Sequence, residues 1–134
     1  KLSVSQAVWN YRNAGVPASK LVMGMPFYGY QYTTKNSTAN GLYSPFTSAK
    51  SISFDRVKAN YLGNSQFRSY YHETAQVPYL FDGTTFLTYE DETSIAHKAA
   101  FARSQGLAGV GAWDLSHDKQ AVLLKSAYQT FLSQ

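Results

Sequence analysis

Apolar residues recur along this chain in two periods, and the switch between them predicts its elements. In VSQAVWNYRNAGVP, Val4, Ala7, Val8 and Tyr11 fall at i, i+3, i+4 and i+7, the spacing of one helix face. Gly15 and Pro17 supply the stop. KLVMGMPFYG follows as an unbroken apolar run, which predicts a strand buried on both faces in a parallel sheet. Its regular pairing is expected to end near Phe27 and Tyr28, after Pro26. From Gln31 to about Asn40 the chain turns polar, as a loop does. SFDRVKANYLGN predicts a short helix between Ser53 as N-cap and Gly63 as stop. VPYLFDGTTFLTYED holds two β-type runs joined at Asp82-Gly83, a hairpin signal. Asp91 then caps a predicted helix that runs to about Gln105, with Ile95, Ala99 and Ala102 on one face and Gly106 as stop. LAGVGAW reads as a second buried strand, its glycines permitting close backbone approach. Asp118 caps a closing helix with Ala121, Leu124, Tyr128, Phe131 and Leu132 inward.

The order is helix, strand, a mixed stretch over 31–89, helix, strand, helix. Without the mixed stretch this is a run of βα units, whose strands are parallel and covered by helices. Two parallel strands alone leave apolar faces and edges without partners. The fold class expected is therefore α/β: the C-terminal fragment of a (β/α)8 TIM barrel, comprising its last two strands and their helices. Residues 1–30 and 90–134 form those units, and 31–89 form an inserted α+β subdomain.

Composition narrows the function. Across 134 residues, 12 basic and 8 acidic side chains leave a net charge of +4. The basic residues are scattered, without a phosphate-tracking run, which argues against nucleic-acid binding. The chain has no cysteine, so it offers neither a thiol nucleophile nor a thiolate metal site. No stretch approaches a membrane span, and no signal peptide is visible in a chain that opens in mid-pattern. Eleven Tyr, eight Phe and two Trp are the distinctive feature. A small core cannot give that many hydroxyls partners. Rings lining a cleft for sugars or peptides, and generous packing of a β-rich domain, are the two readings.

In α/β barrels the reactive face lies at the C-terminal ends of the strands. That singles out Phe27, Tyr28, Gly29 and Tyr30 on one strand and Trp113 and Asp114 on the other. Trp113 either seals the core or faces a ligand. Asp114 is a candidate acid or base, but ordinary glycoside hydrolysis pairs two carboxylates roughly 5–10 Å apart. Asp118 is the only near partner in sequence, and it has a capping role already. Glu90, Asp91 and Glu92 read as charges favourable at a helix N-terminus. His72, His97 and His117 lack paired metal spacing. Ser116, His117 and Asp118 are adjacent, so their side chains diverge and form no triad. The chain holds no self-sufficient catalytic constellation, and nothing in it calls for a cofactor.

At these residues a resemblance enters. SKLVMGMPFYG, then VPYLFDGTTFLTYEDETSIAHKAAFARSQGLAGVGAWDLSHD, resembles the C-terminal part of family 18 glycoside hydrolases, the chitinases, particularly bacterial ones, over roughly 15–120. The resemblance implies a (β/α)8 barrel that hydrolyses β-1,4-linked N-acetylglucosamine polymers. Catalysis in that family is substrate-assisted and retaining: the substrate's acetamido oxygen attacks, and one glutamate protonates the leaving oxygen. That glutamate ends a DxxDxDxE motif, which does not occur in this chain. No catalytic residue is therefore expected here, and the 134-residue chain alone is predicted inactive.

The resemblance also implies binding roles. Trp113 matches the tryptophan that floors the subsite of the distorted sugar. Tyr28 matches a sugar-contacting tyrosine of a P-x-Y-G-R pattern, in which Tyr30 here replaces the arginine. Asp114 stands where bacterial relatives often carry glutamate and is expected to be a hydrogen-bonding rim residue. Tyr71 and Tyr79 are expected either to present rings from the inserted wall or to pack within it. The implied partners are chitin or N-acetylglucosamine oligosaccharides, with no nucleic acid and no membrane. The fragment is expected to self-associate or to pair with the missing part of the barrel. Secretion is implied by the family. Two alternatives stand beside a chitinase: a lectin-like chitin binder, and a peptidoglycan-directed N-acetylglucosaminidase.

Overall fold

A computed structural model describes residues 3–133. Helix α1 (Val4–Asn13) starts at Ser3, whose side chain accepts from the Gln6 amide, and ends before Gly15, which sits at a φ of +88°. Strand β1 (Val22–Pro26) pairs in parallel with a distant strand near the C-terminus, and the pair forms a small sheet. Between them lies an antiparallel sheet of five strands. These are β2 (Tyr28–Thr34), β3 (Phe46–Ser53), β4 (Arg68–His72), β5 (Val77–Phe81) and β6 (Thr85–Thr88), in the spatial order β3-β2-β6-β5-β4. Helix α2 (Phe54–Asn60) follows β3 and is capped by Ser53 as predicted. Helix α3 (Glu92–Ser104), the second parallel strand β7 (Gly109–Trp113) and helix α4 (Val122–Leu132) complete the chain.

The helices bury one face of the β1–β7 sheet. Met23, Met25 and Phe27 join Val8, Ile95, Ala102, Leu107, Leu123 and Ala127 in one apolar cluster. The opposite face is bare. Val22 is 63% exposed, and a methyl group added at Gly24 or Gly109 would meet nothing within 4 Å. Within this chain, therefore, β1 is buried on one face only. Its burial alternates because this chain supplies a helical layer on one side only. A second cluster, Ile52, Val57, Leu80, Leu87 and Tyr89, joins α2 to one face of the antiparallel sheet.

Several local readings change. Gln31–Thr34 continue β2 rather than open a loop. Strands β3 and β4 carry no strong apolar alternation: β3 is an exposed, polar edge, which resists pairing with other chains. The hairpin at Asp82-Gly83 forms where predicted, with the Asp82 carboxylate accepting from the Thr84 amide at 2.9 Å. Asp91 and Ser94 cap α3 reciprocally. Glu90 is not a solvated cap charge, because it is 7% exposed and holds the Lys98 ammonium at 2.8 Å.

The closing helix is rotated from its expected face. Phe131 packs against the core as expected and Leu123 and Ala127 join it, whereas Leu124, Tyr128 and Leu132 are exposed. Asp118 sets this register from before the helix. Its buried carboxylate accepts from the Val122 amide at 2.8 Å and the Leu124 amide at 2.9 Å, so helical geometry begins at Val122. Removing both acceptors leaves two amides unpaired next to the core. Asp118→Ala is expected to cost about 2–3 kcal/mol, and Asp118→Asn less. Denaturant unfolding measures this, and an unchanged midpoint for Asp118→Ala would refute the capping role.

Candidate functional site

Strand β7 carries Trp113 at its C-terminal end, in register with Pro26 of β1. The Phe27 amide donates to the Trp113 carbonyl at 2.9 Å, so the backbone is fixed where the two strands finish. Side chains alternate along β7, which places Trp113 on the same bare face as Gly109 and Gly111. The indole is 72% exposed despite its size. It is not the plug of this chain's core. The Trp113–Asp114 peptide bond is cis.

Asp114 caps the short 3-10 turn Leu115–His117. Its Oδ1 accepts from the Ser116 amide at 2.8 Å and from the Ser116 hydroxyl. His117 Nε2 lies 3.7 Å from the other carboxylate oxygen. The Ser116 hydroxyl chiefly holds the carboxyl below its usual 3.8, outweighing the opposing effect of desolvation, with the Ser116 amide and the nearby His117 adding to it. A depressed value means that this contact stabilises the fold above the usual carboxylate value and is lost as pH falls through the lower, folded one. At neutral pH Asp114 is a hydrogen-bond acceptor with no proton to give. An NMR titration of its carboxyl carbon is expected to show a midpoint below 3.8. A midpoint above that value would make it a possible acid after all.

Tyr28 joins this group through His117, their rings 6.1 Å apart and nearly perpendicular. Tyr30, 41% exposed, follows with its ring 5.9 Å from that of Tyr28. Both belong to β2 of the antiparallel sheet, not to the parallel strand whose end they were expected to occupy. Four of the sequence-predicted residues, Trp113, Asp114, Tyr28 and Tyr30, thus lie at or just beyond the ends of β1 and β7.

The other two do not join them. Tyr79 is 6% exposed, sandwiched between Tyr70 at 5.1 Å and Phe86 at 5.0 Å, and has no ring face to offer. Tyr71 neighbours Tyr70 on β4, and strand alternation turns it to the opposite side of the sheet. There burial first, then the nearby Asp91, Glu73 and Glu90, push its hydroxyl above its usual value. Of the two expectations for Tyr79, its burial supports packing, whereas Tyr71 is half-buried on the other face of the sheet. His117, passed over as a loop residue, is the residue that sequence reasoning missed at the centre of the site. Asp114 lies only three positions before it, but Tyr28 converges on it only in the fold. Among the described residues no group of His, Asp or Glu is arranged to hold a metal ion, and no helix is long and apolar enough to cross a membrane.

The profile of one family, described as Glycosyl hydrolases family 18, matches residues 1–118. The chain is 36% identical over 131 residues to chitinase A1 of Niallia circulans, covering 90% of this chain and 19% of that protein. A family 18 N-acetylglucosaminidase from Paenibacillus barengoltzii has a similar structure, with a TM-score of 0.90 and 38% identity over 97% of this chain and 39% of that one. A class V chitinase mutant from Nicotiana tobaccum, solved in complex with NAG4, gives a TM-score of 0.88 at 28% identity over 96% of this chain and 39% of that one. The chain therefore spans about a fifth of the length of its curated bacterial relative and about two fifths of these solved chains.

Proposed function

The chain belongs to glycosyl hydrolase family 18, a family of TIM-barrel proteins, and on that footing we propose that it is the substrate-binding C-terminal part of a secreted chitinase. In this reading 1–30 and 90–134 are the last two βα units of a (β/α)8 barrel and 31–89 are the inserted α+β wall. The observation that carries it is the exposed Trp113 indole, held by fixed backbone at the end of β7 and followed by Asp114, with Tyr28 and Tyr30 just past the end of the paired strand β1.

The chemistry follows from those groups. The apolar face of a pyranose stacks on the Trp113 indole, which holds the sugar so that its own acetamido oxygen can reach the anomeric carbon. Ionised Asp114 accepts from a sugar hydroxyl at the rim. The Tyr28 and Tyr30 hydroxyls supply further polar contacts, with Tyr30 in place of a cation. The proton for the leaving oxygen comes from a glutamate outside this chain. The bare face of β1 and β7 is the inward side of the barrel, closed by the remaining strands. Isolated, the 134-residue chain covers that face by self-association or by pairing with the rest of the barrel.

The intact protein carrying this segment is tested against chitin oligosaccharides and peptidoglycan. Cleavage of the chitin oligomers with retained anomeric configuration is expected. Binding without cleavage would make it a lectin, and cleavage of peptidoglycan alone would move it to the other N-acetylglucosamine polymer. The separate chain is expected to leave a chromogenic chitobioside intact. Sedimentation as a dilute monomer that binds no hydrophobic dye would refute the bare-face argument.

A further inference from the structure

The two carboxylate oxygens of Asp114 are not equivalent. Oδ1 is filled, since it accepts from both the Ser116 amide and the Ser116 hydroxyl. Oδ2 accepts no hydrogen bond, and His117 Nε2 stands 3.7 Å from it. That separation is too long for a hydrogen bond but short enough for two opposite charges to attract strongly. Asp114 therefore has one oxygen left for a ligand, and a titratable ring stands beside it.

His117 is half-buried at the end of the 3-10 turn Leu115–His117. The Tyr28 ring of β2 packs against it, and its Nδ1 is buried without a partner. Nε2 is thus the nitrogen through which the ring acts on Asp114. Other charged groups on this stretch of chain are engaged elsewhere. Both oxygens of Asp118 accept from α4 amides, and Asp55 of α2 accepts from the Lys119 amide at 3.1 Å. The Lys58 ammonium donates to Gln120 at 2.7 Å. Among the described residues, Asp114 is the only carboxylate in ion-pair contact with the imidazole. A neutral ring at its present distance leaves Oδ2 open. A charged N–H bonds a carboxylate at about 2.7–2.9 Å, so an imidazolium is drawn roughly 1 Å closer and fills that oxygen.

We propose that His117 is a pH-dependent positioning residue: neutral, it leaves Asp114 Oδ2 open to a saccharide hydroxyl, and protonated, it takes that oxygen and weakens binding as the pH falls. This rests on the sugar-binding reading above. The coupling is reciprocal, so a saccharide hydroxyl on Oδ2 opposes protonation of His117. The bonds from Ser116 keep Asp114 ionised while histidine changes charge, so its own titration does not interfere.

The test measures KM of the intact protein for a fully acetylated chitin hexasaccharide between about pH 5 and 8, where histidine changes charge. In the unaltered protein KM is expected to rise about fivefold toward acid, the worth of one hydrogen bond. His117→Gln, neutral throughout, is expected to lose that rise, and His117→Lys to carry the raised KM up to neutral pH. The glutamate outside this chain titrates in all three proteins, so the comparison among them isolates His117. Superimposable KM profiles for the unaltered protein and His117→Gln overturn the proposal. So does a difference confined to kcat, which a residue acting through binding would not produce. A second readout needs no substrate. The Asp114 carboxyl carbon signal is expected to shift as His117 titrates and to show no such step in His117→Gln. A carboxyl unmoved in the unaltered protein overturns the pairing. If the protein binds no chitin oligosaccharide at any pH, the functional reading fails, and the carboxyl step still decides whether His117 and Asp114 are coupled.

Discussion

Alanine at Gly29 is expected to destabilise the fold by about 4 kcal/mol or more, enough to unfold the antiparallel sheet of a marginally stable domain. A Cβ at this position would stand 1.6 Å from the Thr88 carbonyl oxygen and 2.6 Å from its carbon, with the Tyr89 Cα at 2.9 Å. All three are backbone atoms, so no rotamer change makes room. Strands β2 and β6 would have to part, although they are paired from Tyr30↔Thr88 to Thr33↔Thr85. Side-chain overpacking alone costs about 1–3 kcal/mol, and each lost ladder bond adds about 1 kcal/mol. The damage would spread, since Phe27 is fully buried two residues earlier and its carbonyl accepts from the Phe54 amide at 3.0 Å. Gly24→Ala is the control, because nothing lies within 4 Å of its added methyl group. Denaturant unfolding of the two variants separates them. Equal midpoints would show that β2 and β6 do not approach so closely.

Trp113→Ala is expected to do the reverse: abolish function and spare the fold. In the 134-residue chain the indole is 72% exposed and contributes little packing, so the stability of that chain should change by about 0.5 kcal/mol or less. Its backbone is held independently, by the β1–β7 register and the bond from the Phe27 amide. Orientation of the reacting sugar is what the ring supplies, and a misplacement of about 1 Å can cost a hundredfold in rate. A fall of about 10²-fold in kcat/KM on chitin oligosaccharides is expected for the intact protein, with kcat falling as well as affinity. Trp113→Phe should recover part of it. Wild-type turnover in Trp113→Ala at an unchanged melting temperature would remove the central residue of the proposed site.

Short-range features were readable from the chain. The caps at Ser53 and Asp91 and the hairpin at Asp82-Gly83 form where the sequence puts them. Each depends on atoms a few residues apart, so its signal is intact in one dimension. The period-2 tyrosines of YGYQYTT were equally available and would have extended β2 to Thr34. They were obscured because the polar residues after Gln31 look like loop. Glu90 was misread because its partner Lys98 lies eight positions away across the start of α3, and burial of that pair has no local signature.

The linear pattern established the helices, the two parallel strands, the Asp82-Gly83 hairpin and Trp113 with Asp114 at a strand end, and its match to family 18 placed the chain in that family. The fold alone established which faces stay open. It packed Tyr79 between Tyr70 and Phe86, set Tyr28 against His117, and left Tyr30 and Phe46 exposed. Helix caps and turns are closed by local hydrogen bonds, which sequence spacing encodes. Exposure of a strand face depends on which distant strand pairs with it and in what register, and a register shift of one residue reverses every side chain. That choice is made by long-range pairing, and in this chain it separates the exposed Tyr30 from the buried Tyr79.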